Sequence, residues 1–148
     1  MRYLKAVLAT LCLASFGCAA EIPEIGSEED FTHEEAAEYA IQIWTRVHGA
    51  VNDRCQVAVR TAERHMSDAA NVAEFCKSTP GQLAACVYRF VDPIHKTEKL
   101  PAAVVFDAKF YNPRVAVHES LHIVQWCEQG IGGHKDEVFE GLLADKDM

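Results

Sequence analysis

The residues whose types and spacing could do chemistry lie in His118-Glu119-Ser120-Leu121-His122. On a helix, two histidines four positions apart sit about one turn apart on the same face, so both imidazoles can reach one metal ion. Glu119 lies about 100° further round, close enough to hold a water at that ion without becoming a ligand. H-E-x-x-H is the pattern of metal-assisted hydrolysis, with zinc as the expected ion. The chain carries seven histidines, and its composition gives roughly 0.03 chance matches to this pattern. The preceding residues also favour the helix that the pattern needs. Asn112 suits an N-cap, and Pro113 suits the first helical position, where a missing N–H costs nothing.

Two histidines leave such a site one protein ligand short. The helix is expected to stop at Gly130, after which Ile131, Gly132 and Gly133 lead to His134. The helix carries the chain about 10 Å past His122, and five loop residues can return roughly 16 Å, so His134 can close the site. The paired glycines permit the reversal. Glu137 and Glu140, on an expected short C-terminal helix, are the alternative third ligands, in the thermolysin-type manner. The extended metzincin pattern is absent, because Gln125 and Glu128 stand where it has glycine and histidine.

The elements that must position these residues can be read from periodicity and caps. Thr32 with Glu35 forms a capping box ahead of Ala36, Ala37, Ala40, Ile41, Ile43, Trp44 and Val47, an amphipathic helix ending near Gly49. Cys55, Val57 and Val59 alternate within Asp53 to Thr61, which reads as a strand, with a helix as the alternative. Ser67-Asp68 caps a short helix running to Phe75. Leu83 to Val91 and Pro101 to Phe106 read as two further strands, separated by a break at Asp92-Pro93. The expectation is an α+β, zincin-like domain: an N-terminal helix, about three strands, the H-E-x-x-H helix and a short C-terminal helix. A free sheet edge beside that helix would let an extended peptide add as a strand across the metal.

The ends and the cysteines bear on location. Residues 1–20 read as an export signal, with a basic start at Arg2 and Lys5 and an apolar run from Ala6 to Phe16. Two processing sites are open. Gly17-Cys18 resembles a lipoprotein box and makes Cys18 the lipidation candidate, which is the preferred reading; cleavage after Ala20 is the other. A lipidated Cys18 would tether the domain to a membrane surface. Residues 21–31 are acidic with little to bury and read as a flexible tether, leaving 32–148 as a single domain. Cys55, Cys76, Cys86 and Cys127 remain for two disulfides, as expected of an exported protein in the periplasm, on the cell surface or secreted. The expected pairs are Cys76–Cys86 across Pro80-Gly81 and Cys55–Cys127. Cys127 points away from the metal face, about 180° round the helix from His118. The net charge of −8 argues against nucleic acid or anionic lipid as a partner.

From Pro113 to about Phe139 the chain resembles the SprT-like metallopeptidases, through His118-Glu119-Ser120-Leu121-His122 and, after a gap of about a dozen residues, Gly133-His134-Lys135-Asp136-Glu137. The resemblance implies zinc on His118, His122 and His134, and Glu119 as catalytic base. The chain departs from the family with Lys135 in place of a second glycine and with Phe139 one position late. An acidic exported domain also does not fit the nucleic-acid binding of the family's DNA-associated members. The expected activity is zinc-dependent hydrolysis of peptide bonds in a peptide or protein substrate; the alternative is a non-catalytic metal-binding or interaction lipoprotein. Asp107, Asp136, Glu137 and Glu140 are candidates to hold the outer nitrogens of the zinc histidines. Tyr111 and Tyr88 are candidate donors to an oxyanion. His33, His48, His65 and His95 are given no site role, and Trp44 and Trp126 are expected to pack in the core or to wall a groove.

Overall fold

A computed structural model describes residues 31–91, 98–140 and 142. The expected export signal, lipidation site Cys18, most of the acidic tether, the Asp92-Pro93 break and His95 lie outside those residues. The first helix, α1 (His33–His48), starts where the capping box places it. The Thr32 hydroxyl accepts from Glu35 N at 3.1 Å, and the Glu35 carboxylate accepts from Thr32 N at 2.7 Å. Its apolar stripe of Ala36, Ala37, Ala40, Ile43 and Trp44 is buried. Small alanines along that stripe let another helix approach closely.

Asp53–Thr61 is a helix, α2, and not a strand. Asn52 caps it by accepting from Cys55 N at 3.0 Å. Cys55, Ala58 and Val59 form its buried face, a helical spacing, while Val57, the middle of the apparent alternation, is 58% exposed. A strand absent from the sequence reading follows directly, β1 (Glu63–Ser67). Arg64 on β1 donates to Val59 O at 3.0 Å and Ala62 O at 2.8 Å, satisfying carbonyls at the C-terminal end of α2. Asp68 then caps α3 (Ala69–Cys76).

Strands β2 (Ala85–Val91) and β3 (Glu98–Asp107) pair antiparallel, and β1 pairs parallel with β3, giving the order β1-β3-β2. The long helix α4 (Pro113–Gln129) follows, capped by Asn112 accepting from Val115 N at 3.0 Å, with Pro113 in its first turn. The expected C-terminal helix is a 3₁₀ turn, Glu137–Phe139, started by Asp136. The architecture is α+β: four helices and a small mixed sheet among the described residues.

The two faces of β3 divide the packing. Val104 and Phe106 join Val117, Leu121 and Val124 of α4 and the stripe of α1 in the main core. Ala103 and Val105, on the opposite face, are buried where α3 packs. Two disulfides tie these layers. Cys76–Cys86 joins α3 to β2, and Cys55–Cys127 joins α2 to the last turns of α4. By loop-closure entropy the 72-residue separation of Cys55–Cys127 contributes about 4 kcal/mol and the 10-residue separation of Cys76–Cys86 about 3 kcal/mol. Two disulfides point to an oxidising, non-cytoplasmic compartment. No helix among the described residues is long and apolar enough to cross a membrane.

Candidate metal centre

Helix α4 is buried nearly all round. Val115, Ala116, Val117, Leu121, Ile123 and Val124 fill the core, and His118 and Glu119 are also buried, each 6% exposed. Two ionisable groups in such a helix are costly unless partnered. The partner of His118 is a ring of imidazoles. His118 Nε2 lies 3.2 Å from His122 Nε2 and 3.1 Å from His134 Nε2, and the latter two are 3.0 Å apart.

Three imidazole nitrogens in a triangle cannot satisfy one another with hydrogen bonds, since each neutral ring offers at most one lone pair or one proton at that atom. A single cation satisfies all three. A tetrahedral ion with bonds of about 2.0–2.1 Å holds its ligand nitrogens roughly 3.3 Å apart, close to the spacing here. His118, His122 and His134 therefore form a cluster that could hold a metal ion.

The third ring arrives as a consequence of local sequence. Gly130 takes the left-handed conformation (φ 70°) and ends α4. Gly132 lies against Trp126, where an added Cβ would meet the indole Nε1 at 2.6 Å, and Gly133 adopts φ 129°, closed to L side chains without strain. The Gly133 carbonyl accepts from Gln125 Nε2 at 3.1 Å. Asp136 accepts from Gln129 Nε2 at 3.2 Å, and its other oxygen pairs with His48 Nε2 at 2.7 Å. Phe139, fully buried, packs its ring within 4.5–5.5 Å of all three imidazole centroids.

Electrostatics follow from burial. The His118 imidazole is pushed down to about 3, by burial first and then by the neighbouring His122 and His134. His122 is pushed down to about 4 by burial and by His134, opposed by the Gln125 side chain. Both rings are thus neutral around pH 7, as ligands must be. Burial pushes the Glu119 carboxyl up to about 8, a tendency that a nearby dication reverses.

A cleft of about 600 Å³ opens over the cluster. His118, Glu119, His122 and Trp126 of α4 line it with Gly132 to His134, and the facing wall is Gln82 to Val87. That wall includes the start of β2, which has no strand partner on its outer side among the described residues. Leu83, Ala85, Val87 and Val115 make the lining largely apolar.

Several candidate residues lie elsewhere. Glu137 and Glu140 are exposed and outside the histidine cluster. Asp136 engages His48 and Gln129 in place of one of the clustered histidines, and Asp107 at the end of β3 accepts from Lys109 N at 2.9 Å. Tyr88 packs against Phe75 and Tyr111 against Phe106, and neither lines the cleft. His33 stacks on Phe106 and His65 pairs with Glu63 at 3.2 Å. In the sequence reading Gln125 had no role beyond departing from the metzincin pattern, and His48 was not paired with Asp136. Gln125 could have been found there, since three residues beyond His122 it shares that face of α4, and a buried amide needs partners. No protein-family model, curated protein or solved structure matches the chain.

Proposed function

We propose that this protein is an exported zinc-dependent peptidase, tethered to a membrane surface through a lipidated Cys18. The observation that carries this reading is the convergence of His118, His122 and His134 on one point, with Glu119 beside them in the same cleft. A three-histidine set with an adjacent carboxylate suits zinc with one coordination position left for chemistry. The local resemblance to the SprT-like metallopeptidases points the same way.

Zinc, when bound, supplies Lewis acidity, polarising a carbonyl and lowering the pKa of water. The rest falls to the chain. The three neutral imidazoles hold the ion, and burial keeps them from being lost to protons near neutral pH. Glu119 takes the proton of the attacking water and delivers it to the leaving amine, so the carboxylate is regenerated at each turnover. The outer edge of β2 offers backbone N–H and C=O groups to an extended peptide, aligning it across the cleft. The apolar residues of the cleft wall, Leu83, Ala85 and Val87, would pack against apolar side chains of such a peptide.

The test is metal analysis of the purified protein with an unfolded protein substrate. The expected outcome is one zinc per chain, hydrolysis abolished by a chelator and restored by zinc, and loss of hydrolysis in Glu119→Ala by at least about 100-fold with zinc retained. Undiminished hydrolysis in Glu119→Ala refutes the catalytic role. Stoichiometric zinc without hydrolysis assigns the chain to the non-catalytic metal-binding alternative.

A further inference from the structure

His134 is the member of the centre that α4 does not carry. It is exposed, and it follows a loop containing Gly130, Gly132 and Gly133, the residues with most backbone freedom to lose on ordering. His118 and His122 are fixed by the helix whether or not a metal is present. The affinity of a three-histidine centre then depends on how far the loop is ordered before binding, because ordering it at that moment is subtracted from the binding free energy.

Gln125 is the group placed to do this. It is 2% exposed on α4, three residues beyond His122, and its Nε2 donates at 3.1 Å to the carbonyl of Gly133, the residue immediately before His134. A carbonyl only accepts, so the amide group must face the loop with its NH₂. The Gln129–Asp136–His48 contacts lie nearer the surface and act two residues after the ligand. The Gln125 bond is shielded from water and acts at the peptide that sets the direction of the His134 side chain. The other polar end of the amide, Oε1, is buried without a hydrogen-bond partner among the described residues, so the Gly133 carbonyl is the contact that orients this side chain.

We propose that Gln125 is the positioning residue that makes His134 a metal ligand, by clamping the Gly133 peptide to α4. It occupies the position where the extended metzincin pattern has glycine. There the third histidine comes three residues later, whereas here the helix continues to Gln129 and the loop must be brought back and held. The inference rests on the metal-centre reading and adds to it the residue that sets affinity.

The experiment is a double-mutant cycle read by zinc affinity. Zinc dissociation constants are measured by competition with a chromophoric chelator for wild type, Gln125→Met, His134→Ala and the double variant. Methionine keeps the volume of glutamine and removes its donors. The expected result is a loss of about 10–100-fold in zinc affinity for Gln125→Met, shrinking to less than about twofold in the His134→Ala background. A role confined to general stability would give the same loss in both backgrounds, and that result overturns the proposal. So does a Gln125→Met protein with wild-type affinity. If Gln125→Met does not fold, judged by circular dichroism and chelator-free melting, Gln125→Leu replaces it; leucine has no donor for the Gly133 carbonyl, and the same pattern is expected. A wild-type protein that binds no zinc overturns the metal centre and this inference with it, whereas zinc binding indifferent to residue 125 overturns this inference alone.

Discussion

Stability of the protein stripped of metal should pass through a maximum near pH 6.5, and zinc should remove its alkaline side. Folding moves three groups at the centre. His118 falls from an ordinary 6.5 to about 3 and His122 to about 4, while Glu119 rises from 4.5 to about 8. Below pH 6.5 the unfolded chain takes up protons on both histidines that the folded chain refuses. Between pH 4.5 and 6.5 the folded chain in turn keeps one proton, on Glu119, that the unfolded chain has released. The unfolded state therefore binds a net one proton more, and stability drops by about 1.4 kcal/mol per pH unit on acidification. His33, also lowered by burial, acts in the same direction. Above pH 6.5 the histidines are neutral in both states, and only the extra Glu119 proton of the folded state remains. Stability then drops by about 1.4 kcal/mol per unit towards pH 8, about 2 kcal/mol in all. A dication favours the carboxylate and needs neutral rings, so saturating zinc flattens the alkaline side and adds about 2.7 kcal/mol at a hundred times its dissociation constant. Urea unfolding with disulfides intact, from pH 4.5 to 8.5, with chelator or with zinc, measures all of this. Glu119→Gln should lose the alkaline side and steepen the acid one to about 2.7 kcal/mol per unit, since two histidine protons are then no longer offset. A metal-free wild type whose stability holds level or rises from pH 6.5 to 8, or a Glu119→Gln protein that still declines there, refutes the assignment of that proton to Glu119.

Two further outcomes separate the ligands from their rivals and the staple from the site. His134→Ala should weaken zinc binding by at least about 10-fold, whereas Glu137→Ala and Glu140→Ala, both exposed and outside the cluster, should leave it within about twofold by the same chelator competition. Replacing Cys55 and Cys127 together by serine should lower stability by about 4 kcal/mol in urea titrations, the loop-closure contribution of that bridge, while the Cys76–Cys86 pair contributes about 3 kcal/mol.

What could be read in advance was what short-range chemistry determines. The Thr32–Glu35 box, the Asn112 cap, Pro113 and the Gly130 stop are local signals, and α1 and α4 begin and end by them. The helical spacing of His118 and His122, with a glycine-rich return to His134, needed only the geometry of one helix and one loop. Asp53–Thr61 misled because Cys55, Val57 and Val59 alternate as a strand would. The helix is decided by Asn52 capping Cys55 N and by Ala58 completing the buried spacing. Strand β1 was invisible for a different reason. Glu63-Arg64-His65-Met66-Ser67 has no apolar alternation, and it is a strand through its parallel backbone pairing with Ala103 to Asp107. The facing wall of the cleft depends on the sheet order β1-β3-β2, a long-range fact that no window of sequence contains.

The same long-range facts explain how α4 tolerates its ionisable residues. A helix with His118 and Glu119 each 6% exposed should be a weak element, yet it is held on several sides. Leu121, Ile123 and Val124 anchor it in the core, and Cys127 fixes its end to α2. With the helix immobilised, what remains adjustable is the segment from Gly130 to Phe139, which carries the third histidine and rests on Gln125, Gln129, His48 and the packing of Phe139. Metal affinity and the order of this segment would therefore be one equilibrium, since an ion held by the cluster would tie His134 to two rings carried by α4. It follows that chelation should loosen this segment before any other and leave α4 in place. Hydrogen exchange would show it as faster exchange at residues 130–139 and unchanged protection at Leu121 to Val124; uniform loss along α4 would contradict it.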